Sequence, residues 1–125
     1  MHRALATAAA LAALGGLGVA TAGTADAAGK NGVVEVGELG LYYLTDYRSP
    51  IFDLYVSDAD FSNDVFPGTS ISANNNTESF WNRDSFTWYV CLNANYGGGC
   101  GYINPGQYAN FSATFKNTVT SAYYA

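Results

Sequence analysis

The residues of this chain best suited to covalent or metal chemistry are two cysteines, Cys91 and Cys100. The sole histidine is His2, so residues 28–125 offer no imidazole for a catalytic triad, a general base or a metal site. Two thiols without histidine also fall short of the four ligands of a structural zinc site. The pair therefore favours a disulfide over zinc.

Paired carboxylates occur at Glu35 with Glu38 and at Asp58 with Asp60. Glycosidases use such pairs, but chain spacing alone does not establish the separation that this chemistry needs. Solvated surface acids are the ordinary interpretation. Serine and threonine are abundant, yet no base is available to activate one in the usual way. We therefore predict that the chain is not an enzyme and requires no cofactor.

The first residues are typical of a secretory signal peptide, with a basic start and then an apolar run from Ala4 to Ala20. The run is short for a membrane anchor, the alternative interpretation, and ends before Ala25-Asp26-Ala27, a small-residue cleavage pattern. We predict a signal peptide over 1–27, cut after Ala27 with Ala28 as the neighbouring choice. Residues 28–125 then form one secreted, extracellular domain, expected to be a monomer. The oxidising compartment supports a Cys91–Cys100 disulfide.

The charge pattern excludes two classes of partner. The formal net charge is −5 with 12% charged residues, and the basic residues of the mature part are scattered at Lys30, Arg48, Arg83 and Lys116. Nucleic acid binding needs clustered phosphate contacts, so nucleic acid is not expected as a partner. For the same reason we expect no membrane association after signal cleavage.

The mature part predicts an all-β fold, because short apolar runs rich in Tyr, Phe, Val and Thr alternate with turn residues. Its predicted strands are Leu39–Leu44, Ile51–Val56, Phe80–Asn82, Thr87–Leu92, Cys100–Ile103, Ala109–Phe115 and Ser121–Tyr124.

A weak internal repeat aligns residues 41–49 with 90–98 and residues 74–81 with 116–123. The first unit is longer between these landmarks, which places an acidic insertion with exposed aromatic residues in the Val56 to Ile71 region. Two units of about four strands predict paired Greek keys packed as a sandwich. We expect Trp81 and Trp88 to pack in the core, with ligand stacking as the alternative.

At these residues the chain resembles the βγ-crystallin fold, in which a Tyr-x-Gly hairpin precedes a motif of two Asn/Asp, two free positions and Ser/Thr-Ser. It also looks like a secreted actinobacterial family of metallopeptidase inhibitors. The segments that carry this resemblance are residues 35–43, the Asn74 to Asn82 segment with Trp81, and Asn95-Tyr96-Gly97-Gly98. Members often carry cysteines near Val34 and Gly40, which this chain lacks.

The resemblance assigns the aromatic hairpins to Tyr47 and Tyr96. Gly98 takes a backbone conformation that most residues avoid and lets the tyrosine ring pack on main chain. In the first unit Ser49 replaces the glycine and Pro50 follows, so we predict a distorted first hairpin.

Similarity to calcium-binding crystallins nominates six oxygen-bearing residues: Asn75, Glu78, Ser79, Asn117, Thr120 and Ser121. Calcium takes six to eight oxygen ligands, but Glu78 stands where Ser or Thr is expected, and Lys116 replaces the leading Asn/Asp of the second motif. These residues could instead bond backbone groups in turns. Calcium is thus expected to bind weakly, if it is a ligand.

The resemblance implies a binding protein whose partner is a secreted protease, held by a rigid loop. Two loops are the candidates: Asp46, Tyr47, Arg48 and Pro50 in the first hairpin, and Asp60, Phe61 and Phe66 within Val56–Gly68. The alternatives are a calcium-binding or structural, stress-related crystallin-like protein, and a cell-wall or glycan-binding, killer-toxin-like protein.

Overall fold

The computed structural model describes residues 28–125, so the predicted signal peptide lies outside the described residues. Most of the strands contribute buried apolar residues, as expected for sheets with one face against a core. The strands are β1 (Leu39–Leu44), β2 (Arg48–Leu54), β3 (Ser79–Asn82), β4 (Trp88–Asn93), β5 (Gly97–Ile103), β6 (Tyr108–Asn110) and β7 (Ser121–Tyr124). Two short 3₁₀ turns lie at Phe61–Asn63 and Ala94–Tyr96.

The strands form two antiparallel sheets, ordered β2-β1-β3-β6 and β5-β4-β7. The hairpins β1–β2 and β4–β5 have the same register: Leu39 faces Leu54 as Trp88 faces Ile103, and both ladders shift just before the turn. The internal repeat is therefore a structural repeat.

Each sheet also takes an outer segment from the other unit. Strand β6, which follows the second hairpin in sequence, pairs with β3 of the first sheet. In return Asp58 of the first unit forms a bridge with Ala122 of β7. This exchange is the crossover of paired Greek keys, and the all-β crystallin-like sandwich is confirmed.

The core lies between the two sheets and includes Trp88, which is fully buried, as expected. The insertion also contributes to it, because Phe61 and Phe66 are fully buried and their rings lie 5.0 Å and 6.3 Å from that of Phe52. The prediction that Phe61 and Phe66 are exposed for binding was wrong. Burial of large aromatic rings is the dominant stabilising term in so small a domain, so these rings pack inward.

Five of the seven strands have boundaries that differ from the prediction, and the differences are largest at β2, β5 and β6. Strands β2 and β5 begin directly at their turns, at Arg48 and Gly97, three residues earlier than the predicted starts at Ile51 and Cys100. Strand β6 ends at Asn110, because Phe115 N and Lys116 N both donate to Ser112 O and close a helical turn. Phe111 and Phe115 thus face the core with helical spacing.

The first hairpin turns with the same register as the second, and its predicted distortion is confined to the backbone at Ser49-Pro50, whose peptide bond is cis. Ser79 Oγ accepts from Tyr47 N at 3.1 Å and donates to Leu44 O at 2.7 Å. Ser121 Oγ makes the equivalent bonds in the second unit, to Tyr96 N at 3.0 Å and to Asn93 O at 2.6 Å. A buried serine therefore fixes each turn, whether or not a glycine follows.

Candidate functional site

The second hairpin is closed by a disulfide between Cys91 and Cys100, which face each other in the β4–β5 ladder. Cys91 is buried, whereas Cys100 is exposed on β5, the outer strand of its sheet. Exposure continues through Gly98 and Gly99, whose backbone is not covered by side chains of their own. The result is a rigid strand edge with accessible main-chain groups.

Gly98 has the left-handed φ of +77° that the hairpin prediction required. A Cβ at this position would lie 2.6 Å from the Asn93 side chain. Ser49, at the equivalent position of the first hairpin, is not among the described residues with positive φ. The two hairpins thus reach the same register with different local backbone.

The outer face of the second sheet carries four tyrosines that pack on one another. Tyr89 stacks on Tyr123 with ring centroids 4.8 Å apart and planes within 10°. Tyr96 packs edge-on against Tyr123 at 5.0 Å, and Tyr102, 66% exposed, stands beside Tyr89. These four rings therefore cover the outer face of the second sheet with contacts to one another.

The outer face of the first sheet instead leaves an open aromatic groove of about 370 Å³, lined by Tyr42, Tyr47, Trp81 and Tyr108. The Tyr47 ring meets Tyr42 at 5.7 Å and Tyr108 at 5.6 Å, both nearly at right angles. Tyr108 is 61% exposed. Because these rings stand nearly perpendicular to one another, they leave an open space between them.

Trp81 does not lie in the core, so that expectation was wrong. Its neighbour Phe80 faces the core, and alternate residues of a strand point to opposite faces, which puts Trp81 on the outer face. The Arg83 guanidinium lies 4.7 Å above the Trp81 ring. This cation–π contact holds one wall of the groove.

The predicted binding loop at Asp46–Pro50 borders this groove. Asp46 and Tyr47 both have left-handed φ, near 60°. Asp46 N donates to Asn110 Oδ1 at 2.8 Å, and Arg48 bonds to Thr45. Exposed Tyr47 is thereby fixed at the rim, with Pro50 further along β2.

The acidic insertion is ion-paired to the entry segment, residues 28–37, which precedes β1. Lys30 Nζ forms ion pairs with Asp58 at 3.0 Å and Asp64 at 3.2 Å. Asp60 accepts from Ser62 N at 2.9 Å and begins the short 3₁₀ turn. Burial, with Asp58 nearby, raises the pKa of Asp64 to about 6. These acids link the insertion to the rest of the domain, so the insertion packs against the fold.

The residues nominated for calcium pair across the two motifs. Thr120 Oγ1 donates to Asn75 Oδ1 at 3.0 Å, and Asn117 Nδ2 donates to Glu78 Oε2 at 3.0 Å. Asn75 and Asn117 both have φ near 60° and donate their N–H groups across the same junction. Ser79 and Ser121 are fully buried and are engaged by the hairpins. Each of these two hydrogen-bonded pairs joins a residue of the first motif to a residue of the second, and we call them the mixed pairs.

This donor set fits calcium poorly. The Asn75–Thr120 pair contains no carboxylate, and the Asn117–Glu78 pair contains one, whereas calcium sites gather six to eight oxygens with several charges. Within residues 28–125 no group of three or more His, Cys, Asp or Glu side chains is arranged to hold a metal. Any calcium site would therefore centre on Glu78.

Sequence analysis missed two residues of the groove, Tyr42 and Tyr108. Tyr108 reaches the groove through the strand register of the structure, in which Gly40, Trp81 and Tyr108 lie side by side across β1, β3 and β6. The buried carboxylates Glu38 and Asp53 were also missed, and Glu38 was interpreted as a solvated acid. Strand alternation places Glu38 on the face opposite its neighbour Leu39, so the pattern gave no signal for its burial.

Solved structures place the fold in the βγ-crystallin class. One, described in relation to the evolution of the eye-lens βγ-crystallin domain fold, has a TM-score of 0.61 at 13% identity, over 82% of this chain and 93% of its own. A βγ-crystallin from Ciona intestinalis has a TM-score of 0.58 at 20% identity, over 71% and 100%. IPSE/alpha-1 from Schistosoma mansoni eggs has 0.53 at 22% identity, over 71% and 84%.

Within that fold class, the family model for peptidase inhibitor family I36 matches residues 34–103, and the chain belongs to this family. Peptidase inhibitors and crystallins are both non-enzymatic kinds of protein. Among curated proteins, none matches the sequence. No helix in residues 28–125 is long and apolar enough to cross a membrane.

Proposed function

We propose that this chain is a secreted inhibitor of a peptidase and that it docks the disulfide-closed edge of β5 into the enzyme's cleft. The observation that carries the proposal is the family match over residues 34–103, which includes both hairpins and ends at the last residue of β5. The predicted leader over 1–27 supplies the route to secretion.

Peptidases hold their substrates as extended strands through main-chain hydrogen bonds, and an exposed sheet edge offers the same groups. Strand β5 is such an edge, and its exposed Gly98, Gly99 and Cys100 let another backbone approach closely. The disulfide and the Ser121 tie fix the edge before binding, which lowers the entropic cost of association.

The test titrates the oxidised mature domain against a panel of secreted metallo- and serine peptidases, with intact mass checked afterwards. Stoichiometric inhibition by an uncleaved domain supports the proposal. No inhibition across the panel, or cleavage of the domain as a substrate, counts against it.

A matched pair of variants locates the inhibitory face. Tyr102→Lys and Tyr108→Lys make the same change at exposed tyrosines, 66% and 61% exposed, on the outer strands of opposite sheets. We expect Tyr102→Lys to raise the inhibition constant at least about tenfold, the effect of losing one central interface aromatic, and Tyr108→Lys to leave it unchanged. The reverse order would move the inhibitory face to the Asp46–Pro50 loop and the groove.

The open groove favours a second candidate function, binding of a glycan chain. Sugar rings pack against aromatic faces, and Trp81 and Tyr108 offer such faces around a cavity of about 370 Å³. Pull-down on insoluble cell-wall polysaccharide tests this function. Retention that Tyr108→Ala abolishes and Tyr102→Ala preserves would support it, and equal retention of both variants would exclude the groove.

A further inference from the structure

Two carboxylates are fully buried beneath the entry segment of the mature part, Glu38 and Asp53. Glu38 accepts from Gly29 N at 2.8 Å and from Glu35 N at 2.9 Å. Asp53 accepts from Asn31 N at 3.1 Å and from Gly32 N at 2.7 Å. The entry segment is therefore folded around these two acids.

No cationic side chain of residues 28–125 forms an ion pair with Glu38. Lys30 is engaged by Asp58 and Asp64, and Arg83 lies over Trp81 while donating to Val34 O. Burial, together with the facing charged groups Asp53 and Glu35, raises the pKa of Glu38 to about 7. Buried carboxylates are normally paired, so a cation is missing from this cluster.

The backbone nitrogens that leader removal would turn into a free amine lie at this cluster. Ala28 N is 3.4 Å from Glu35 Oε1, and Gly29 N is the group bonded to Glu38. Cleavage after Ala27 adds the oxygen of water to the Ala27 carbonyl carbon, breaks the C–N bond, and leaves a protonated α-amine on Ala28. A signal peptidase performs this hydrolysis.

We propose that Glu35 and Glu38 form a receptor for the α-ammonium group of the processed chain. Processing thus creates the cation that the two acids lack, and it adds an ion pair to an entry segment that is already folded around Glu38 and Asp53. Cleavage after Ala28 would place the ammonium of Gly29 directly on Glu38. Either of the two predicted cleavage positions delivers the charge to the same pair.

The test compares the free mature chain that begins at Ala28 with the same chain acetylated at its amine. In the acetylated form Glu38 keeps a folded pKa of about 7, above its ordinary 4.5, so its contribution to stability is complete below 4.5 and is lost as pH rises through 7. We expect the urea midpoint of the acetylated form to fall between pH 5 and pH 7.5. The free amine should remove the part of this fall that Glu38 contributes, whereas the part that Asp64 contributes, with its pKa of about 6, should persist in both forms.

Two further measurements keep the proposal falsifiable. By NMR the α-amine of the free form should titrate at least about half a unit above the ~7.7–8.0 of an unperturbed terminus, and Glu35→Gln should reverse that shift. The matched control is Glu78→Gln, a carboxylate in another part of the fold. An unshifted amine, or an acetylation effect that persists in Glu35→Gln and Glu38→Gln, would overturn the proposal.

Discussion

The first hairpin turns at Asp46–Tyr47 and the second at Asn95–Tyr96, all four residues having left-handed φ near 60°. Each turn is held by one buried serine. At the strand positions where the second hairpin places Cys91 opposite Cys100, the first places Tyr42 opposite Ile51. One unit therefore uses a covalent link where the other uses a noncovalent pair.

The aromatic residues differ in the same way. Around Tyr47 the rings stand at 75° and 80° to one another and leave the groove open, whereas Tyr89 and Tyr123 lie nearly parallel and close the second surface. The two units thus share one backbone framework but carry different arrangements of aromatic rings on their outer faces. The proposed peptidase docking concerns the covalently fixed edge, and the second candidate function, glycan binding, concerns the open groove.

The largest effect that separates the hairpins should come from the disulfide. Replacing Cys91 and Cys100 by alanine opens a loop with a sequence separation of 9, and loop-closure entropy puts the loss at about 2.5 kcal/mol of unfolding free energy. Urea unfolding measures that loss. Peptidase inhibition should weaken more than it does in Tyr108→Ala. Full inhibition by the cysteine-free domain would show that the covalent link is not needed for docking.

The next largest effect should come from the two serines that hold the turns, Ser79 and Ser121. Ser79→Ala and Ser121→Ala each leave a buried N–H and carbonyl without their partner, at a cost of about 2 kcal/mol. Because the disulfide still holds the second hairpin, amide exchange should accelerate more at Tyr47 in Ser79→Ala than at Tyr96 in Ser121→Ala. Equal acceleration would mean that the disulfide does not restrain the turn.

A smaller effect tests the position at which the repeat differs, Gly98 and Ser49. Gly98→Ser forces a side chain into φ +77° and against Asn93, at a cost of about 1–2 kcal/mol. Ser49→Gly meets no such constraint and should cost less than about 1 kcal/mol through chain entropy. Thermal unfolding of both variants gives the comparison. Equal losses of stability in the two variants would contradict the conclusion that the two hairpins use different backbone conformations at these positions.

Strand periodicity was sufficient to predict the sandwich, because residues such as Leu39 and Leu41 must share the buried face. It could also have placed Trp81 outside, since its neighbour Phe80 faces the core. Burial of Phe61 and Phe66 could not be predicted, because an irregular insertion has no period that distinguishes inside from outside. The calcium motif was read along the chain, whereas its side chains pair between units.

That pairing leads to the smallest predicted effect, the response to calcium. If a site exists it lies at Glu78 and Asn117, and at a calcium concentration equal to Kd the stabilisation is RT ln 2, about 0.4 kcal/mol. This corresponds to a rise in melting temperature of about 2–3 °C. Calorimetry with millimolar calcium and with chelator measures it.

Two variants sharpen the comparison between the mixed pairs. Glu78→Gln should abolish the calcium response, because it removes the carboxylate of the Asn117 pair. Thr120→Glu should enlarge the response, because it gives the Asn75 pair the same carboxylate. A melting temperature that calcium leaves unchanged in all three proteins would mean that both pairs act as hydrogen-bonded links between the units. In that case Glu78 and Thr120 would contribute to the stability of the fold and not to calcium binding.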